Sequence, residues 1–237
     1  MLILCIETST SVCSAAVCKD GQVIAQRISR EGANHARLLP VFIEELLHTP
    51  DGPLRPDAVA LSAGPGSYTG LRIGTSTAKG LCYGWGVPLI AIPTLQVLCA
   101  AAKAQAVIGE NDLLCPMIDA RRMEVYTALF DARLHALTEV QAVVVNDSNA
   151  VTAGAGATVS DKRICYFGDG AAKCKEILAG ELWTIIPDIV PEAQYMGVLA
   201  EEAAAAGNEL QGNGIAYYEP FYLKEVVAAQ SHVKGLK

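Results

Sequence analysis

A glycine-rich stretch between a strand and a helix contains the residue types best suited to phosphate chemistry. Residues 62–70 read Ser-Ala-Gly-Pro-Gly-Ser-Tyr-Thr-Gly, and backbone amides at such a loop can hold a phosphate beside a helix N-terminus. Two standard motifs do not fit: Thr69 occupies the third-glycine position of a dinucleotide loop, and the loop lacks the Lys of a Walker motif. The sequence therefore favours a tight turn capped by Ser67 or Thr69, with Gly64, Gly66 and Ser67 kept as candidate phosphate contacts.

A second candidate phosphate turn follows the first strand. Thr8, Ser9 and Thr10 come directly after Glu7, and successive backbone N–H groups of such a turn can form an anion-binding concavity. An acid in this position can also help to hold a metal ion, but no second acid lies nearby. A capping and turn role is favoured for these residues.

The densest charged cluster of this apolar chain lies near its middle. Asp119, Arg121, Arg122 and Glu124 fall within six residues. Acids flanking two arginines can form an ion-pair network, here expected at an interface between two lobes, or can bind an anion. The structural network is the favoured interpretation.

The helix that follows the glycine-rich loop has two rows of small residues. Gly70, Gly74 and Ala78 form one row, and Ser76, Gly80 and Gly84 form the other. Each glycine inside a helix costs about 1 kcal/mol relative to alanine, so the rows need a compensating reason. Small residues at this spacing permit close backbone packing, which predicts contact on two sides. Whether the second contact is internal or with another molecule stays open from spacing alone.

Composition and residue spacing exclude several other kinds of site. The chain has 237 residues, 51% hydrophobic and 18% charged, with a net charge of -7, so it is globular and disfavours autonomous nucleic-acid binding. The eight cysteines include no C-x-x-C pair, which predicts buried reduced thiols. No two of the four histidines share a helix at i, i+4, so no metal site and no cofactor is expected. With no membrane span or leader, we expect a cytoplasmic protein.

The pattern of elements predicts an α/β protein built from two similar halves. Strands are expected at residues 3–7, 13–18 and 22–29 as an antiparallel meander, then a helix from Asn34 that Pro40 kinks or delays. A strand at 57–62, a helix at 69–84, a strand at 87–92 and a helix at 94–106 complete the first half. The second half is expected to have strands at 113–118, 124–130, 136–145, 164–167 and 184–189, a loop at 151–160, a helix at 191–206 and a frayed tail from 230. The order resembles the plan of the actin-like ATPases, with lobes at 1–108 and 109–237 and the C-terminal segment returning to the first lobe.

Several motifs together resemble the TsaB (YeaZ) family of glycoprotease-like M22 proteins. They span nearly the whole chain and comprise Ile6-Glu7-Thr8-Ser9-Thr10, His35 with Leu38-Leu39-Pro40, residues 64–74, Ile118-Asp119-Ala120-Arg121 with Glu124-Val125-Tyr126, and residues 220–223. The resemblance implies a two-lobed actin-like (ribonuclease H-like, duplicated βββαβα) fold. It also implies a non-catalytic role in threonylcarbamoyladenosine (t6A) modification of tRNA, beside the catalytic paralogue TsaD and a TsaE-type ATPase. The chain would reach tRNA only through that complex and would form a homodimer when alone.

The resemblance also implies where the partner binds and why the chain lacks its own metal. Thr94 and Leu98 stand where TsaD has its two metal-binding histidines, and neither side chain replaces imidazole. The first two helices would dock on TsaD, which predicts the interface residues His35, Leu38, Leu39, Phe42, Gly70, Leu71, Gly74 and Ala78. Two alternatives remain: an ATP-binding, kinase-like phosphotransferase of the same fold, and a metallopeptidase, which only the older family name suggests.

Overall fold

The first sheet of this computed structural model has six strands in the order β13-β7-β6-β1-β2-β3. The structure describes residues 1–32, 34–50, 52–155, 159 and 161–224. The strands β1 (Leu2–Glu7), β2 (Cys13–Lys19) and β3 (Gln22–Ser29) form the predicted antiparallel meander. Parallel strands β6 (Ala58–Ser62) and β7 (Leu89–Ile92) follow beside β1. The small ribbon of β4 (His48–Thr49) and β5 (Gly52–Pro53) lies outside this sheet.

Three helices belong to this first half. They are α1 (His35–Leu47), α2 (Tyr68–Trp85) and α3 (Thr94–Gln105). Of the two predicted effects of Pro40, the late start of α1 is wrong because Pro40 lies inside the helix, and the kink stays a prediction. Proline there forgoes one hydrogen bond to the carbonyl of Ala36, and Ala36 is exposed, so water can satisfy that group. Asn34 precedes α1 without the predicted side-chain cap.

The second sheet repeats the plan of the first. Its order is β10-β9-β8-β11-β12, with a meander of β8 (Leu113–Asp119), β9 (Glu124–Thr127) and β10 (Gln141–Val144). Parallel strands β11 (Ile164–Phe167) and β12 (Trp183–Ile185) follow beside β8. The helical element α4 (Asn149–Thr152) is only four residues long. The strands expected at 124–130 and 136–145 are shorter than predicted. Beyond them, Phe130 forms isolated bridges with Leu114 of β8 and with Ala136.

The chain after the second sheet packs on the first. The helix expected at 191–206 begins as a 3-10 turn, Ala193–Met196, and continues as α5 (Gly197–Ala205). Met196 and Leu199 lie in one core cluster with Ile3 and Cys5. Strand β13 (Glu209–Leu210) then pairs with β7, and α6 (Asn213–Tyr217) follows. The lobe boundary at residue 108 stays a prediction.

The predicted tail, residues 230–237, lies outside the described residues, as do residues 156–158 and 160 of the predicted loop. None of the helices in the described part of the chain is both long and apolar enough to cross a membrane. All eight cysteines are buried and free, as predicted.

Candidate functional site

The turn after β1 and the glycine-rich loop lie against each other. Ser67 N donates to Ser9 O at 2.6 Å, and a Cβ on Gly66 would overlap with the same carbonyl oxygen. Ser67 Oγ accepts a hydrogen bond from Gly70 N at 3.3 Å, so Ser67 caps α2. One of the two predicted caps is therefore confirmed, while phosphate contact by Gly64, Gly66 or Ser67 stays a prediction.

Helix α2 packs directly against Thr8. Thr8 Oγ1 donates to Gly70 O at 2.8 Å. A Cβ on Gly70 would overlap with the Thr8 carbonyl oxygen, and a Cβ on Gly74 would overlap with Thr8 Oγ1. The first small-residue row of α2 thus packs against the chain's own β1 turn.

This packing bears on the predicted partner interface, which stays a prediction. Gly70, Leu71, Gly74 and Ala78 are buried against the chain's own core, and so is Leu39 of α1. Spacing alone could not show which small row faces inward. Only Leu38 and Phe42 of the predicted set remain partly exposed.

His35, also predicted at the interface, is buried and has an internal role. Its Nε2 lies 3.0 Å from Thr10 O and 3.2 Å from Val12 O. Because both partners are carbonyl oxygens, this nitrogen carries the proton and donates. His35 therefore fixes the end of the β1 turn against the start of α1.

Glu7 lies beneath this turn and is completely buried. Its Oε1 accepts from Ser9 N at 2.6 Å and from Ser62 Oγ at 3.0 Å, whereas Oε2 has no partner among the described residues. Desolvation raises the pKa of Glu7 to about 7, although these hydrogen bonds act in the opposite direction. The Glu7 carboxyl group, which lies beneath the turn, is thus expected to change from neutral to anionic near pH 7.

A cleft of about 810 Å³ opens above the turn, between the two sheets. From the first half it is lined by Ser9, Thr10, Gly66 and Ser67, and from the second half by Asp119, Arg121, Tyr126 and Asp169. Residues of the C-terminal segment, Phe221, Tyr222, Leu223 and Lys224, close one side. Of the predicted turn and loop residues, Ser9, Thr10, Gly66 and Ser67 therefore lie in one cleft with Asp119 and Arg121, whereas Thr8 does not line it.

The predicted ion network has different partners from those expected. Asp119 pairs with Lys173 and Glu124 with Lys224, and in the described residues no ion pair involves Arg121 or Arg122. Both arginines have positive φ, 70° and 51°, because they form the turn between β8 and β9. Arg121 N donates to Asp119 Oδ1 at 2.9 Å, an interaction typical of an Asx turn.

Asp169 is a cleft residue that sequence analysis missed. Its Oδ1 accepts from Asp119 N at 2.9 Å. Desolvation raises the pKa of Asp169, whereas burial of Asp119 is outweighed by Lys173 and the Arg121 amide, so the pKa of Asp119 lies below its ordinary value. Fifty residues separate the two acids, and no local spacing links them.

Thr94 and Leu98, where the resemblance predicted that TsaD has its metal-binding histidines, have structural roles here. Thr94 Oγ1 accepts from Gly64 N at 3.2 Å, and Thr94 N donates to Gly64 O at 2.9 Å. Leu98 is fully buried in a core cluster. Among the residues described, no three His, Cys, Asp or Glu side chains are grouped so that they could hold a metal ion.

The two sheets of repeated topology, with a cleft between them, define an actin-like ATPase fold. The family model for TsaD, tRNA N6-adenosine threonylcarbamoyltransferase, matches residues 22–231. The tRNA threonylcarbamoyladenosine biosynthesis protein TsaB of Escherichia coli is 30% identical over 96% of both chains, and that of Bacillus subtilis is 28% identical over 100% of both. The solved structure of YeaZ from Pseudomonas aeruginosa superposes with a TM-score of 0.77 at 24% identity, covering 94% of this chain and 99% of that one.

The chain therefore belongs to the TsaD family, and within it to the TsaB (YeaZ) group. The resemblance found in the sequence motifs is confirmed, and so is the predicted fold.

Proposed function

We propose that the chain is a non-catalytic subunit required for t6A modification of tRNA and that it pairs with a TsaD-type catalytic paralogue. The observation that carries the proposal concerns Thr94 and Leu98, which stand where the resemblance expects the metal-binding histidines of TsaD. Thr94 is hydrogen-bonded to the glycine-rich loop, and Leu98 is part of the core. The names of the E. coli and B. subtilis relatives support the pathway. A TsaE-type ATPase would join the pair, and the chain would contact tRNA only through the complex.

The outer surfaces of α1 and α2 form the proposed docking face. Val41 is 44% exposed, and Leu38, Phe42, Ile73 and Leu81 are partly exposed while also packing on the first core. Such half-buried apolar side chains on two adjacent helices suit a protein partner better than water. The same face would support a homodimer when the partner is missing.

The test of the function is a reconstituted tRNA assay. TsaD-type and TsaE-type partners, a source of threonylcarbamoyl-adenylate and substrate tRNA are combined with and without this chain. Modified adenosine is then measured after nuclease digestion. Modification should depend on the chain. Equal t6A without it would overturn the proposal.

Val41→Glu is expected to weaken binding to the TsaD-type partner at least about tenfold, because a charge would be desolvated within the face. Val41 is exposed enough for the free variant to fold. The matched control is Val107→Glu, at a residue 90% exposed and away from α1 and α2. Titration calorimetry gives both dissociation constants. Equal affinities for the two variants would contradict the docking face.

An ATP-dependent phosphotransferase is the second candidate, favoured by the cleft between the Ser9–Thr10 turn and the acids Asp119 and Asp169. Calorimetry of the isolated chain with Mg-ATP, followed by an assay for released phosphate, decides this alternative. Sub-millimolar binding with turnover would support it. If neither binding nor turnover is observed and t6A formation depends on the chain, the subunit role is the candidate that remains.

A further inference from the structure

A second cavity, of about 650 Å³, lies between α2 and the C-terminal segment that follows α6. We call it the α2 pocket, and its lining residues are Tyr68, Arg72, Thr75, Ser76, Lys79, Tyr218, Glu219, Pro220, Tyr222 and Lys224. It lies along α2 next to the proposed docking face. It was not foreseen from the sequence because Tyr218 to Lys224 are distant in the chain.

Within the part of the chain that the structure describes, two buried hydroxyl groups of this pocket have no hydrogen-bond partner. Thr75 is 5% exposed, and neither its Oγ1 nor the Tyr218 hydroxyl has a partner among the described residues. Burying a hydroxyl without a partner is unfavourable, and native proteins keep few such groups. A ligand that supplies hydrogen-bonding atoms would remove this cost.

The charges of the pocket favour an anion. Within the described residues, Arg72 has no carboxylate partner; its Nη1 donates to Tyr68 Oη at 3.2 Å, and its guanidinium lies 5.5 Å from the centre of the Tyr68 ring. Lys79 Nζ donates to Ala216 O at 2.8 Å and to Tyr218 O at 2.7 Å, which leaves one N–H. Lys224 is neutralised by Glu124. Among the described lining residues, two cations therefore face one exposed acid, Glu219, in a chain of net charge -7.

The neighbouring surface of α2 suits a protein more than a small molecule. Ser76 and Gly80 continue the exposed row beside Arg72, and a Cβ on Gly80 would meet nothing within 4 Å. A second backbone can therefore approach closely. Because the pocket adjoins the docking face, the same partner can reach both.

We propose that the α2 pocket receives a carboxylate side chain of the TsaD-type partner, with Arg72 as its ion-pair partner and Thr75 as a hydrogen-bond donor. The inference rests on the proposed function. Guanidinium and carboxylate form two parallel hydrogen bonds, a geometry that fixes orientation as well as adding affinity. The pocket would thereby set the register of the docking face.

Two variants test the pocket, with dissociation constants measured by titration calorimetry at low and high salt. Arg72→Glu should weaken partner binding at least about tenfold and lessen its salt dependence. The control Arg133→Glu, an exposed arginine of the second half, should bind as the wild type does. Arg72→Lys should retain part of the affinity because the charge remains but the two parallel hydrogen bonds are lost.

Thr75→Val distinguishes a hydroxyl group that binds the partner from one that only stabilises the fold. The variant should raise the melting temperature of the free chain, because a buried hydroxyl without a partner is removed, while weakening partner binding about threefold to tenfold. If Arg72→Glu and Thr75→Val both bind the partner with wild-type affinity, the pocket inference is overturned while the proposed function stands. If the wild type neither binds the partner nor supports t6A formation, the proposed function itself fails. Partner binding that inorganic phosphate or free nucleotide leaves unchanged supports a protein carboxylate; competitive displacement by either at low millimolar concentration overturns that occupant.

Discussion

Gly70→Ala is expected to lower the free energy of unfolding by about 3 kcal/mol or more, although alanine is the better helix former. The added Cβ would overlap with the carbonyl oxygen of Thr8, which is backbone and has no alternative rotamer. Relief requires α2 to move away from β1, and this movement breaks the hydrogen bond from Thr8 Oγ1 to Gly70 O. The loss would be a large part of the stability of an ordinary domain.

Gly80→Ala is the matched control on the same helix. A Cβ at Gly80 meets nothing within 4 Å, so this variant should gain about 0.5–1 kcal/mol from helix propensity alone. Urea unfolding followed by circular dichroism measures both variants. Equal stabilisation by both substitutions would show that α2 does not rest on the β1 turn as described.

The same contact changes how a docking experiment must be designed. Gly74→Leu would place a large side chain where Thr8 Oγ1 lies, so lost partner binding would report a damaged fold instead of a damaged interface. Val41 and Arg72 avoid this difficulty because both are exposed. A folded variant with altered affinity then reports on the surface itself.

The sequence predicted those features of the fold that depend on local periodicity. The alternation in residues 22–29 identified β3, and the motif around Ser67 identified the turn before α2 but left its cap between Ser67 and Thr69. The equal spacing of the two small-residue rows could not identify the inward one. That choice depends on Thr8, which is 62 residues from Gly70.

Contacts between residues that are distant in the sequence account for other differences between the prediction and the structure. The contact of Asp169 with Asp119 joins two turns of the second sheet, and strand β13 has only two residues, too few for a detectable pattern. The helix expected from residue 191 is α-helical only from Gly197, which packs closely on β2 and the turn after it. A Cβ there would lie 2.8 Å from Gly21 O and 3.0 Å from Cys18 Sγ.

Glu7→Gln is expected to stabilise the chain above pH 7 and to change little near pH 4.5. Desolvation raises the folded-state pKa of Glu7 from 4.5 to about 7. Between these values the folded chain keeps a proton that the unfolded chain has released, so the free energy of unfolding falls as pH rises. A difference of this size corresponds to about 3 kcal/mol, present below pH 4.5 and lost by about pH 7.

The glutamine variant should lack this contribution to the pH dependence. Its amide oxygen can still accept from Ser9 N and Ser62 Oγ, as Glu7 Oε1 does, so the turn should keep its geometry. The measurement is urea unfolding of both proteins from pH 5 to pH 8, with Glu110→Gln as an exposed control that should follow the wild type. A stability difference independent of pH would mean that Glu7 stays ionised throughout. A difference that grows with pH would show that the site floor carries a carboxyl group neutral in acid and charged above neutrality, immediately beneath the residues that line the cleft.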